Sequence, residues 1–291
     1  MSSVTPSLEL LLRALKLPSF VIHHEAIFAR AEREGWSFHQ ALRELAETEL
    51  AERQQRRIER NVKHSQLPGE KSLGTLKRQR LPAAVRRQLP TLCEGGFVER
   101  AENVLAFGLP GRGKTHVCCG IGHELLQRGY RVLFVPAFRL VQGLLVAKRE
   151  LVLERELRRL DSFDVVLIDD IGYVQQDREE MEVLFTFLAE RYERKSVMIT
   201  SNLVFSQWDR IFKDPMTTAA AIDRLVHHAV ILELTGRSYR TESVGSQTHQ
   251  EEQPTASTEE GDLPLHTDAS PTHGWGSDPA RGEVEPSPEP K

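Results

Sequence analysis

The strongest chemical signal in the chain is the run Gly108-Leu109-Pro110-Gly111-Arg112-Gly113-Lys114-Thr115, which fits G-x-x-x-x-G-K-[ST] in full. Glycines at this spacing let backbone N–H groups turn inward around phosphate oxygens. A helix starting at the end of the run points its positive end at the same oxygens. Lys114 then reaches the outer phosphates, and Thr115 offers a hydroxyl to Mg2+, a hard cation that takes oxygen ligands. Farther along, the apolar run Val165-Val166-Leu167-Ile168 ends in Asp169 and Asp170. Asp169 is placed to hold Mg2+, and Asp170 to orient and deprotonate an attacking water. Asn202 follows Met198-Ile199-Thr200-Ser201; if that strand lies beside the two acids, its amide reaches the outermost phosphate or the water. Arg224, in Asp223-Arg224-Leu225, has the chemistry of an arginine finger acting from a neighbouring subunit. Each reading has a plainer rival: a chance glycine turn, an acidic turn after a strand, an asparagine turn former, a surface salt bridge.

These groups need rigid elements to hold them. The predicted strand Val104–Phe107 precedes the glycine run, and a helix from His116 to Arg128 follows it. Over 101–240, short β-rich runs (NVLAF, RVLFV, VVLID, SVMIT, AVILEL) alternate with amphipathic stretches, which predicts a parallel sheet covered by helices on both faces. Residues 1–60 read as a small helical domain. Leu8, Leu11, Leu12 and Leu15 share one face of a first helix stopped by Pro18, and Gly35 stops a second. Ser37 caps a third, with Phe38, Leu42 and Leu45 on its apolar face. A core that small is expected to lean on a partner or another copy. Residues 61–100, with Pro68, Gly69, Pro82 and Pro90, read as a basic connector. Residues 241–291 hold 7 of the 15 prolines and almost no large apolar side chains, so they are expected to be disordered.

The blocks GLPGRGKTH, LIDDIGYVQQDREEMEVLFTFLAERYER, TSNLVFSQWDRIF and AAAIDRLVHHAVILELTGRSYR resemble the IstB family over about residues 8–240. IstB proteins are helper ATPases encoded with transposases of bacterial insertion sequences, within the AAA+ class and related to the helicase loader DnaC and the initiator DnaA. The Walker motifs are common to many ATPases; the SNLVFSQW and DRLVHH blocks make the match specific. The resemblance implies a P-loop AAA+ three-layer sandwich over 101–240, preceded by the all-α domain. It implies a protein that assembles as an ATP-dependent homo-oligomer on duplex DNA, remodels it and assists a cognate transposase. ATP would be held by Gly108, Leu109, Pro110, Gly111, Arg112, Gly113, Lys114, Thr115 and His116. Mg2+ would be held by Thr115 and Asp169, with Asp170 as base, Asn202 as sensor and Arg224 as finger. Three features depart from the family pattern. Arg112 stands where Thr is more usual, Asp170 is shorter than the frequent Glu, and no helical lid is expected after Arg240.

Charge fits a DNA partner. The net charge of -4 splits into -9 over residues 241–291 and +5 over 1–240, and residues 53–87 carry 11 Lys/Arg against Glu59 and Glu70. Such a run attracts phosphate without reading bases, and few aromatics interleave it. An acidic tail would compete with DNA for that run. Paired His23-His24 and His227-His228 read as surface polar residues, since neighbours on a helix point about 100° apart. Three cysteines without C-x-x-C spacing argue against a disulfide framework or zinc site and for a reducing compartment, most simply the cytoplasm. No apolar run is long enough to span a membrane. Two other functions fit the same motifs: a DnaC-type helicase loader, and a nucleotide-binding DNA-organising module without turnover.

Overall fold

The computed structural model describes residues 7–173, 178–208 and 215–235. The disordered tail expected over 241–291, and the question of a lid after Arg240, lie outside the described residues.

All five expected strands form: β1 Asn103–Phe107, β2 Val132–Pro136, β3 Val165–Asp169, β4 Ser196–Ser201 and β5 Ala229–Glu233. They pair only in parallel, in the order β2-β3-β4-β1-β5. The period-2 alternation of a strand splits each apolar run between two cores. Leu105, Phe107, Val166, Ile168, Val197 and Ile199 face one side. Val104, Ala106, Val165, Leu167 and Met198 face the other. Burial on both faces is why these runs read as continuously apolar. Because β4 sits between β1 and β3, the loops leaving the carboxyl ends of all three strands emerge side by side, where open parallel sheets bind ligands.

Helices cover both faces. In chain order they are α1 Leu8–Ala14, α2 Pro18–Glu34, α3 Phe38–Ser65, α4 Ala83–Glu94, α5 Gly96–Glu99, α6 Lys114–Gln127, α7 Ala137–Arg149, α8 Leu153–Asp161, α9 Arg178–Arg191 and α10 Pro215–Val226. Helices α7 to α10 contribute to the first core and α4 and α6 to the second. Cys118 and Cys119 are fully buried on α6; burial raises both thiols, Cys119 to about 12, so they pack as neutral side chains.

The segment expected as a connector is part of the second layer. Helix α3 runs past position 60 to Ser65, and Leu73, Leu76, Leu81, Val85, Leu89 and Leu92 are buried with Val104 and Val117. Its prolines do not mark a linker: Pro82 immediately precedes α4, and Pro90 is tolerated inside it. The α3 end is also tied down, since the Asn61 amide donates to Gly129 O and Tyr130 O, both at 3.2 Å.

The amino-terminal helices pack differently from their leucine pattern. Ser37 forms the expected cap, in a capping box with Gln40. Phe38 and Leu42, however, are exposed, and the buried face of α3 is Ala41, Leu45 and Glu49 at i, i+4, i+8. Glu49 is buried for a reason. Helix α2 starts at a proline with no side-chain cap of its own, and the Glu49 carboxylate accepts from the Ser19 N–H at 2.8 Å. Arg53 donates to its other oxygen at 2.6 Å. Burial pushes this carboxyl up, but the Ser19 N–H and the Arg53 guanidinium outweigh it and hold it below the ordinary value. A depressed acid stabilises the fold at pH above its unfolded value and stops doing so as pH falls through the folded value. Glu49→Gln should therefore loosen the α2–α3 pair by about 1–3 kcal/mol at neutral pH. It should also remove part of the acid-side decline in stability, read as amide exchange at Ser19 across a pH series.

Candidate functional site

The glycine run builds a turn that only glycine permits at its critical points. A Cβ on Gly108 would stand 2.5 Å from Leu234 O, where β5 leaves the sheet. Gly111 and Gly113 have φ of 78° and 85°, the left-handed region that other residues avoid. Gly113 precedes α6 with no side-chain cap, so the first N–H groups of the helix face the loop's concavity. Lys114 is 5% exposed; its Nζ folds back onto Gly108 O at 2.7 Å and Leu109 O at 3.3 Å. Those carbonyls hold the ammonium at the mouth of the loop.

Behind the loop lies a chain of hydrogen bonds that joins α6 to β3 and β4. Thr115 Oγ1 donates to Asp169 Oδ1 at 2.7 Å, and Thr200 Oγ1 donates to the same oxygen at 2.6 Å. The Asp170 N–H donates to Thr200 Oγ1 at 2.8 Å. Asp170 has a φ of 57°, a left-handed conformation for a non-glycine, which turns the chain sharply off β3. Asn202 stands at the end of β4; its Oδ1 is buried and accepts no hydrogen bond from the described residues. A buried amide oxygen left unpaired costs free energy unless a ligand or water supplies a donor.

One cavity of about 270 Å3 gathers these groups: Pro110, Gly111, Arg112, Gly113, Lys114, Thr115, His116, Asp170 and Asn202 all line it. Asp169 sits behind Thr115, one hydrogen bond away. Leu109 is mostly exposed. Arg224 is absent from this lining. Its guanidinium lies 4.6 Å from the Phe185 ring on α9, with Nη1 buried and unpartnered among the described residues. It makes no ion pair with them, so the plain salt-bridge alternative has no partner here.

The same cavity has a wall that the motifs did not predict, made by Lys71, Thr75, Leu76 and Lys77. This strap lies along α6, fastened by His116 to Ser72 O at 2.9 Å and by His123 to Pro68 O at 3.0 Å. Glycine makes the approach possible, because a Cβ on Gly120 would come within 2.5 Å of Leu73. The spacing His116, Gly120, Gly122, His123 on one helix was the available signal: two gaps and two polar ties mark a face that another chain segment crosses. The basic run of 53–87 is thus divided, with Lys71 and Lys77 at this cavity and the arginines of α3 elsewhere.

Gly172 tests the role of Asn202. A Cβ there would fall 2.2 Å from Asn202 Oδ1. Gly172→Ala should displace that amide and lower nucleotide turnover by about 10- to 1,000-fold, with the affinity for nucleotide changed far less. Turnover close to the parent value would remove Asn202 from the chemistry.

The family described as IstB-like ATP binding protein matches residues 10–246. An insertion-sequence ATP-binding protein of Sinorhizobium fredii is 43% identical over 237 residues, 81% of this chain and 80% of its own. An insertion sequence IS21 ATP-binding protein of Pseudomonas aeruginosa is 37% identical over 233 residues, 80% of this chain and 88% of its own. Among solved structures, the replication initiator DnaA bound to AMPPCP and single-stranded DNA superposes with a TM-score of 0.51 at 17% identity. That match covers 63% of this chain and 56% of the other, a likeness of fold.

Proposed function

The chain belongs to the family of IstB-like ATP-binding proteins, and from that premise we propose that it hydrolyses ATP to assemble on duplex DNA and assist a partner transposase. The observation that carries the ATPase part is the hydrogen-bonded line Thr115–Asp169–Thr200–Asp170 behind a glycine loop, with Asn202 lining the same cavity. The residues suit a magnesium nucleotide. Three glycines open the loop, a lysine is held at its mouth, and a hydroxyl and a carboxylate stand where a hard cation needs oxygens. ATP supplies the scissile phosphoanhydride and Mg2+ the divalent charge.

The chain's own side chains then divide the work. The loop N–H groups bind phosphate oxygens, and Lys114 exchanges its carbonyl partners for the outer phosphates. Thr115 and Asp169 hold the cation, with the Thr200 hydroxyl keeping Asp169 in place. Asp170, fixed through its backbone N–H, accepts the proton of the attacking water at its carboxylate. Asn202 orients that water. Arg224 lies outside its own cavity, so in this reading it serves the cavity of a neighbouring copy.

The DNA part is supported by charge. Along one face of α3, Arg53, Arg56, Arg57, Arg60 and Lys63 line a groove with Lys16, against a single acid, Glu59. Arg53 and Arg56 are engaged by Glu49 and Glu52, which leaves Arg57, Arg60 and Lys63 as the better phosphate contacts. The test is ATP turnover with and without duplex DNA, in the parent and in Arg57→Ala/Arg60→Ala/Lys63→Ala. Duplex should raise turnover in the parent. The triple variant should bind DNA more weakly across all sequences, with the salt slope reduced by up to about 3, and keep its basal turnover. Equal turnover with and without duplex, or an unchanged salt slope, contradicts this reading.

A further inference from the structure

His227 and His228 do not lie on a helix, so the divergence expected of helical neighbours does not apply to them. Helix α10 ends at Val226, and the two histidines form the turn that leads into β5. Their ring centroids are 4.2 Å apart, with the planes inclined by 51°. Opposite them stands Glu193, exposed in the turn after α9 with a φ of 55°. One ligand atom from each of the three, a ring nitrogen or a carboxylate oxygen, lies within 4.8 Å of the other two. Ligand atoms on a tetrahedral ion at about 2.0–2.1 Å stand roughly 3.4 Å apart, so a modest rotation of exposed side chains closes the set.

A further contact belongs to the same arrangement. The Tyr192 hydroxyl is 3.1 Å from His227 Nδ1, which fixes the orientation of that ring and leaves Nε2 as the nitrogen available to a metal. Such an outer hydrogen bond is what orients an imidazole that ligates a metal.

We propose that Glu193, His227 and His228 form a surface site for a first-row divalent transition metal, with Zn2+ as its representative. Two imidazoles and one carboxylate suit zinc and its neighbours, whereas Mg2+ requires oxygen ligands throughout. Three protein ligands leave a fourth position for water. The site is separate from the oxygen pair Thr115 and Asp169. It joins the turn after α9 to the turn after α10, three residues beyond Arg224, whose guanidinium rests on Phe185 of α9. An ion there clamps the two helix ends that support that arginine.

The experiment titrates the full chain with Co2+ and, separately, with Zn2+ against a colorimetric chelator, with excess Mg2+ present to occupy oxygen sites. The parent should bind one equivalent, with Co2+ giving the visible absorption of a nitrogen-containing site of low coordination number. Losing a ligand should weaken binding at least as much as losing an outer partner does, about 10- to 100-fold. That loss is expected in His227→Ala/His228→Ala and also in Glu193→Gln, which keeps the shape of an exposed side chain and so guards against misfolding of the double variant. His23→Ala/His24→Ala should bind like the parent. No stoichiometric binding by the parent, or binding undiminished in either the double variant or Glu193→Gln, overturns the proposal.

Discussion

Lys114→Ala should lose ATP binding, and with it all turnover. The ammonium is nearly buried and rests on two loop carbonyls, so it is already desolvated and aimed at the place where phosphates would sit. Truncating a buried, hydrogen-bonded charge that faces an opposite charge costs about 2–5 kcal/mol, roughly 30- to several thousandfold in Kd. Isothermal titration with ATP measures it directly. Asp170→Asn provides the contrast, because the cation ligands Thr115 and Asp169 remain while the carboxylate that accepts the proton is gone. That variant should bind ATP near the parent affinity and hydrolyse it about 100- to 10,000-fold more slowly. Normal hydrolysis by Lys114→Ala would remove the assignment of the loop, and loss of binding by Asp170→Asn would make Asp170 a ligand or a folding residue.

The loop and the two aspartates were legible in the sequence because their chemistry is local. A glycine run between a strand and a helix has few other uses, and an apolar strand ending in two acids gains meaning once that run is present. The placement of Asn202 was conditional on strand order, which a single sequence does not encode locally. The parallel β1–β4 and β3–β4 pairings meet that condition. The strap of residues 67–77 was not legible, because prolines and lysines look alike in a solvated linker and in a segment pressed onto a helix. Only Gly120 and Gly122, with the two histidines flanking them, hinted at the crossing. The i,i+4 spacing of Glu49 and Arg53 makes their ion pair a local feature of the sequence. The larger role of Glu49, accepting from the uncapped start of α2, depends on a contact 30 residues away in the chain. His227 and His228 are exposed, as expected, but they lie past the end of α10 at Val226, and the turn brings together two rings that a helix would separate.

Arg224→Ala is the second large effect, and it tests assembly. The side chain stands outside its own cavity, packed on Phe185 with a buried nitrogen unpartnered among the described residues. To reach the phosphate of a nucleotide on a second copy, the guanidinium has to swing off Phe185, exchanging a buried, unpartnered position of Nη1 for a charge-assisted pairing. The variant should therefore bind ATP like the parent and hydrolyse it about 1,000-fold or more slowly. Mixed with Lys114→Ala, it should recover part of the lost turnover. In a mixed assembly, some Arg224→Ala subunits with competent cavities face an intact Arg224 on a Lys114→Ala neighbour. Recovery should vary with the mixing ratio and vanish when the two variants are kept below the concentration at which they associate. If the two demonstrably co-assemble and turnover stays at the level of either variant alone, Arg224 acts within its own chain. The contact with Phe185 would then be its whole function, and loss of activity on mutation would reflect a loosened α9–α10 pair, visible as a lower melting temperature.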